Sequence, residues 1–107
     1  MSLSRLDPEA IEGLRRLGGD EFVAELSQAF LAEAPDLLAA LHGADAGHVR
    51  RAAHTLKSNA ATFGATRLAS LCLDVETRAK TGEAPASPEL AAGIEEEYAL
   101  VAEELRG

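Results

Sequence analysis

The chain has 107 residues, the usual size of one domain, and we expect a single domain over residues 1–107. Its 18 acidic and 10 basic side chains give a net charge of −8, which argues against non-specific nucleic-acid binding because that needs a basic footprint. One cysteine excludes an internal disulfide and a cysteine-based zinc site, and no apolar run approaches the roughly 20 residues that span a bilayer. Because the N-terminus lacks the apolar segment of a signal peptide, we expect a cytoplasmic protein.

The apolar pattern predicts five helices, and aromatic residues make up only 4% of the chain, which favours helix over strand. The predicted helices cover 8–17, 21–41, 46–63, 65–80 and 88–105. Their N-caps are Asp7, Asp20, Asp45 and Ser87, and Gly18–Gly19 ends the first helix. Pro35 lies inside the second helix, where we expect a bend or a local break in its hydrogen-bond ladder. These elements predict an all-α, antiparallel four-helix bundle with up-down-up-down topology and a short extra N-terminal helix.

Several residues of the last two helices have structural interpretations. Cys72 falls on the apolar stripe of the fourth predicted helix, so we expect a small core residue. Tyr98 is expected to pack at an end of the core with its hydroxyl in water. The acidic run 95–97 is expected to form a solvated helix face.

The third predicted helix carries a histidine that points away from the core. At 100° per residue, Val49, Leu56 and Phe63 share one apolar face with Ala52 and Ala60. His54 lies on the opposite side. A core histidine is therefore not expected, although a surface histidine without any role stays open on this geometry alone.

The charge around His54 gives this histidine a specific setting. Residues 46–73 contain no aspartate or glutamate and carry Arg50, Arg51, Lys57 and Arg67, so this interval is +4 and the remainder of the chain is −12. A positive field on an acidic protein favours a bound or covalent phosphoryl group and an acidic partner surface. The alternative is a solvated, charged helix face.

Small neighbours leave the imidazole uncovered. Ser58 lies one helical turn after His54 and Ala61 two turns after it, so a concave site of another protein can reach the ring. Lys57 follows His54 by three residues and can bring an ammonium close to a group on the imidazole. A neutral imidazole is a competent phosphoryl nucleophile, and a nearby cation keeps it neutral and stabilises a transferring phosphoryl group.

The residues around this histidine resemble the signature of histidine-containing phosphotransfer (HPt) domains: His-x-Leu-Lys-Gly, a glycine six residues further on, and a leucine four residues after that. The corresponding residues here are His54, Leu56, Lys57, Ser58, Gly64 and Leu68. The segment 30–38 also resembles the second helix of the family, and the resemblance covers about residues 20–80. Serine at position 58 departs from the usual glycine; it is still small, and its hydroxyl could bond the phosphoryl group or narrow the choice of partner.

The resemblance implies a phosphocarrier in a two-component phosphorelay. The Nε2 atom of His54 would take a phosphoryl group from an aspartyl phosphate on one receiver domain and pass it to another, with electrostatic assistance from Lys57. Receivers would dock on the face formed by the second and third predicted helices, and the residues expected at the phosphoryl group or the partner are Arg50, Arg51, Ser58 and Ala61. The receiver would supply the divalent cation and most catalytic groups, so we expect no metal, no cofactor and no autonomous kinase activity in this chain.

The expected partners are receiver domains of response regulators or hybrid histidine kinases, bound weakly by a monomer, with no nucleic-acid or membrane partner.

Three other classes of protein also fit this sequence. A histidine-kinase phosphoacceptor domain usually has an acid directly after its histidine, whereas Thr55 stands here and no glycine-rich ATP site is present. The chain could also be an HPt module cut from a larger hybrid or chemotaxis-type kinase. The chain could, finally, be a non-catalytic helical adaptor in which His54 has no role. This hypothesis predicts that His54→Gln changes nothing measurable.

Overall fold

The computed structural model describes residues 4–107, which form helices joined by short connections. The helices are α1 (Pro8–Ala40), α2 (Ala46–Thr62), α3 (Thr66–Lys80) and α4 (Pro88–Arg106). Each helix packs against the next one in the chain, and α1 also packs against α4, so the four helices close into a bundle. The predicted all-α fold is confirmed. Within residues 4–107, no helix is both long enough and apolar enough to cross a membrane.

The first two predicted helices are the two arms of α1. They meet at Gly19, where φ is 78° and ψ is −175°, a conformation that glycine adopts readily because it lacks a Cβ. Asp7 caps the first arm by accepting a hydrogen bond from the amide of Glu9 at 2.9 Å. Pro35 does not end the second arm, because the helical backbone angles continue through it; its side chain is exposed, so the ring lies outside the core.

The predicted starts of α2 and α4 are confirmed. The carboxylate of Asp45 accepts from the amide of His48 at 3.0 Å, and the hydroxyl of Ser87 accepts from the amide of Leu90 at 3.2 Å. Pro88 occupies the first turn of α4, where its missing N–H costs no helical hydrogen bond. Local side-chain chemistry therefore places both helix starts.

The core is built from aliphatic side chains around an aromatic group. The Phe30 ring centroid lies 5.7 Å from the centroids of Phe63 and Tyr98, and Tyr98 meets Phe30 edge-on. Tyr98 is half-buried, as its predicted place at the edge of the core requires. Leu56 and Cys72 are completely buried, which confirms their predicted core positions.

Glu97 corrects the expectation of a solvated face over 95–97. It lies three residues after Ile94 and four before Val101, on the inward stripe of α4, and is only 4% exposed. Its carboxylate oxygens lie 3.3 Å from Nε of Arg67 and 3.7 Å from Nε of Arg5. The acidic run thus contains one buried residue that joins α4 to α3 and to the N-terminal segment.

Residues 4–7, which we call the N-terminal strap, tie two helices together. The Glu104 carboxylate on α4 accepts hydrogen bonds from the Ser4 hydroxyl at 2.7 Å and the Arg5 amide at 2.6 Å. The Asp7 amide donates to the Phe63 carbonyl at the end of α2, at 3.1 Å. The strap therefore connects α4 to the helix that carries His54.

Candidate functional site

His54 lies on the outer face of α2, as the helical wheel predicted. Its side chain is 59% exposed. The residues on the opposite side of the helix are buried, and they include Val49, Ala52, Leu56 and Ala60. The backbone periodicity of one helix is therefore enough to hold this imidazole at the surface of the bundle.

A carboxylate on α3 bridges the two residues singled out on α2. One oxygen of Glu76, Oε2, lies 3.1 Å from Nδ1 of His54, and the other, Oε1, accepts from Nζ of Lys57 at 2.6 Å. The Glu76 side chain is 14% exposed and Lys57 is 26% exposed, so solvent reaches this bridge only partly. The hydrogen bond from Lys57, and then the one from His54, hold the pKa of Glu76 below its usual value of 4.5.

The bridge assigns the tautomer of the neutral imidazole. An ionised carboxylate only accepts hydrogen bonds, so its partner Nδ1 must carry the proton. In the neutral ring Nε2 then holds the lone pair. Nε2 is therefore the ring nitrogen whose lone pair is available to an electrophile.

The imidazole opens onto a depression of about 430 Å³ between α2 and α3. We call it the His54 depression; its lining residues are Arg50, Arg51, His54, Thr55, Glu76 and Lys80. A second, shallower groove of about 280 Å³ lies between α1 and α2. It is lined by Asp36, Leu37, Ala40, His48, Arg51, Ala52 and Thr55, so Arg51 and Thr55 border both. The two surfaces together form a continuous face beside the histidine.

The structure brings some of the predicted site residues together and separates others. Arg50 and Arg51 line the His54 depression, and Lys57 reaches His54 through Glu76. Ser58 and Ala61 are exposed further along α2 and do not line the depression. Arg67, which the charge count included in the positive field, instead contacts Glu97 on the α4 side.

Sequence reasoning missed Glu76 and Lys80, because both belong to α3. Their place beside His54 depends on how α2 and α3 align after the turn at Gly64, and residue spacing within one helix carries no such information. Gly64 itself has a structural reason: its φ is +67°, and a Cβ there would lie 2.2 Å from Cβ of Asp7. Glycine lets the strap pass close to the end of α2.

The site is an exposed histidine on a helical bundle, oriented by a carboxylate and set beside arginine and lysine side chains. Such an arrangement suits a domain that carries a phosphoryl group. A family model described as Hpt domain matches residues 25–104, and the chain belongs to this family. Its function is accordingly histidine phosphotransfer in a phosphorelay, and receiver domains are the general partners of such proteins.

Two individual proteins show the same relationship. The chain is 37% identical over 82 residues to a phosphorelay protein, LuxU, of Vibrio cholerae, with 73% of each protein covered. It is also similar to the crystal structure of histidine-containing phosphotransfer protein B of Pseudomonas aeruginosa PAO1, with a TM-score of 0.87 and 30% identity. That match covers 98% of this chain and 94% of the other. The likeness thus extends over the terminal helices as well as the histidine region.

Proposed function

We propose that His54 is the phosphorylated residue and that this chain carries the phosphoryl group on Nε2 between aspartyl-phosphate receiver domains. The observation that supports the proposal is the contact between Nδ1 of His54 and Glu76, on an imidazole that is 59% exposed. It combines an accessible ring with a fixed proton position, and nucleophilic transfer needs both.

The transfer step follows from this tautomer. The Nε2 lone pair attacks phosphorus, the bond between phosphorus and the aspartyl oxygen breaks, and the carboxylate leaves with that bonding pair. The proton stays on Nδ1, so the ring becomes cationic while Nε2 carries the phosphoryl group. Glu76 accepts the hydrogen bond from that cation and stabilises the charge as it develops. Transfer to a second receiver reverses these changes.

Lys57 provides electrostatic assistance in this proposal. Its ammonium is 2.6 Å from the Glu76 carboxylate and offsets the negative charge that lies beside His54. Without that offset, the carboxylate would repel the anionic phosphoryl group as it approaches Nε2. The role of Lys57 is thus to offset the charge of Glu76 while Glu76 holds the ring in place.

The remaining predicted residues form the surface that meets the partner. Arg50 and Arg51 line the His54 depression, and Ser58 and Ala61 leave the next two turns of α2 open to an approaching protein. We assign the divalent cation and most of the catalytic groups to the receiver. This chain contributes the nucleophile and the charges around it.

Label transfer from a phosphorylated receiver tests the assignment. The wild-type chain should acquire an acid-labile, base-stable phosphoryl group, and His54→Gln should acquire none while keeping its helical circular-dichroism spectrum. His42→Gln is the matched control, because His42 is also exposed but contacts Glu95 on α4. Label retained by His54→Gln, or lost equally from His42→Gln, would overturn the assignment.

A further inference from the structure

The cations of this chain divide sharply into paired and unpaired groups. Of the ten, six form ion pairs within residues 4–107, and they are Arg5, Arg15, Arg16, Lys57, Arg67 and Arg78. No ion pair within that range includes Arg50, Arg51, Lys80 or Arg106. Three of these four line the His54 depression, and we call Arg50, Arg51 and Lys80 the cationic arc.

The arc is left unpaired by its surroundings. Arg50 and Arg51 stand on α2, which contains no acidic residue in Ala46–Thr62, so no partner is available one turn away. Lys80 does have an acid four residues before it on α3, in the orientation that favours a helical ion pair. That acid is Glu76, whose two oxygens are engaged by Lys57 and His54. Of the acidic residues within 4–107, none forms an ion pair with these three cations; Asp45, the N-cap of α2, lies near Arg51 without pairing with it.

We propose that the cationic arc is a docking element that selects receiver domains with acidic side chains around the opening of their phosphoaspartate pocket; this inference rests on the proposed phosphotransfer through His54. The arc acts on the encounter and not on the transfer step. Exposed rim charges change association rates and their salt dependence, whereas the reacting atoms are held by the His54–Glu76 bridge.

The neighbouring groove defines the other half of the matching surface. Its lining between α1 and α2 includes Leu37, Ala40 and Ala52, and its titratable members besides Arg51 are Asp36 and His48. A receiver that fits this face carries an apolar ridge toward α1 and its acidic residues toward α3. Arg51 lies where these two halves meet, since it lines both surfaces.

The experiment measures label transfer from one phosphorylated receiver with an acidic rim, at increasing concentrations of this chain and at low and high salt. The test variant is R50Q/R51Q/K80Q. The matched control is R16Q/R78Q/R106Q, which removes three exposed cations that do not line the His54 depression and reaches the same net charge. Wild type is also measured with a receiver variant whose rim acids are changed to amides.

We expect the test variant to lose roughly tenfold in kcat/KM at low salt, with kcat within twofold of wild type, and to lose most of its salt dependence. The control should stay within twofold of wild type. On the receiver with the neutral rim, wild type and test variant should behave alike.

Three results would overturn the proposal: a fall in kcat at unchanged KM, an equal loss in the control, or a tenfold loss that persists on the neutral-rim receiver. The last result would mean that the cationic arc binds an anion other than the acidic side chains of the receiver. Failure of wild type to take label from any receiver would instead refute the proposed function, and it is distinguishable because it precedes any comparison of variants.

Discussion

Two carboxylates in this bundle each lie between two basic side chains, yet their surroundings are different. Glu76 on α3 uses both oxygens, toward His54 and Lys57, and sits beneath an open depression. Glu97 on α4 is more deeply buried, with a side chain 5% exposed, and holds Arg67 and Arg5 at 3.3 and 3.7 Å. Its Oε2 atom makes no hydrogen bond within residues 4–107.

The difference shows what each cluster contributes. The Glu97 cluster (Glu97, Arg67 and Arg5) joins α4, α3 and the N-terminal strap, so its removal should change the free energy of unfolding. The Glu76 cluster (Glu76, His54 and Lys57) joins α2 and α3, which already pack through a shared apolar core. Its removal should therefore change reactivity at His54. Substitutions at Glu97 and at Glu76 therefore separate these two roles.

The largest expected effect is on stability, from Glu97→Ala. Removal of the carboxylate leaves Arg5 partly buried without its partner and should lower the free energy of unfolding by about 1–3 kcal/mol. Urea denaturation monitored by circular dichroism measures this. Glu96→Ala, its exposed neighbour, should change stability by less than about 0.5 kcal/mol. The folded Glu97→Ala protein should transfer phosphoryl groups within twofold of wild type; a tenfold slower transfer would contradict the structural role.

Glu76→Ala should instead affect phosphoryl transfer more than stability. Loss of the acceptor at Nδ1 removes a hydrogen bond to a charge that develops during transfer, and we expect transfer to slow by about tenfold, equivalent to about 1.4 kcal/mol. Single-turnover label transfer measures the rate, and Glu76→Gln should recover part of it because the amide oxygen still accepts. Unchanged transfer in Glu76→Ala, with stability reduced instead, would make this bridge merely structural.

Lys57→Ala sharpens the comparison within the Glu76 cluster. We expect transfer to slow by roughly threefold, because the carboxylate loses the ammonium that offsets its charge. In the Glu76→Ala background the same substitution should have little further effect, since Lys57 then has no carboxylate to neutralise. Rates for the two single variants and the double variant form the cycle. Independent, multiplying effects would show that Lys57 acts on the phosphoryl group directly.

The smallest expected effect is a shift in acid unfolding. The folded-state pKa of Glu76 lies below its usual value of 4.5, chiefly through the Lys57 hydrogen bond, so its contribution to stability is present above that value and is lost as the pH falls through the folded pKa. In Lys57→Ala the pKa of Glu76 rises, and this contribution should be lost at a less acidic pH. Thermal unfolding between pH 7 and 3 measures the shift. An identical acid limb in both proteins would contradict the assigned cause.

The features that were predictable from sequence are those that one helix contains. Capping residues such as Asp45 and Ser87 mark where helices begin, and the period of α2 alone places His54 outside and Leu56 inside. The contacts of Glu76 and Lys80 with the site depend on how α2 and α3 cross. That geometry results from packing many side chains together, and no local spacing encodes it.

Glu97 was a different kind of omission. Its spacing from Ile94 and Val101 places it on the apolar stripe, which is visible in the sequence. Three consecutive glutamates nevertheless read as a solvated face, since the cations that compensate it are distant along the chain. Burial of a charge depends on those partners, and Arg5 and Arg67 meet it only after folding.

The single thiol of the protein, Cys72, is buried in the core beneath the His54 site. Burial raises the pKa of Cys72 to about 12, and its titration also senses the charges of Lys57 and Glu76. Only a thiolate is alkylated readily, so the folded protein should resist iodoacetamide until this part of the bundle opens. The alkylation rate would then report how often the scaffold under His54 loosens, without an added label and without any partner present.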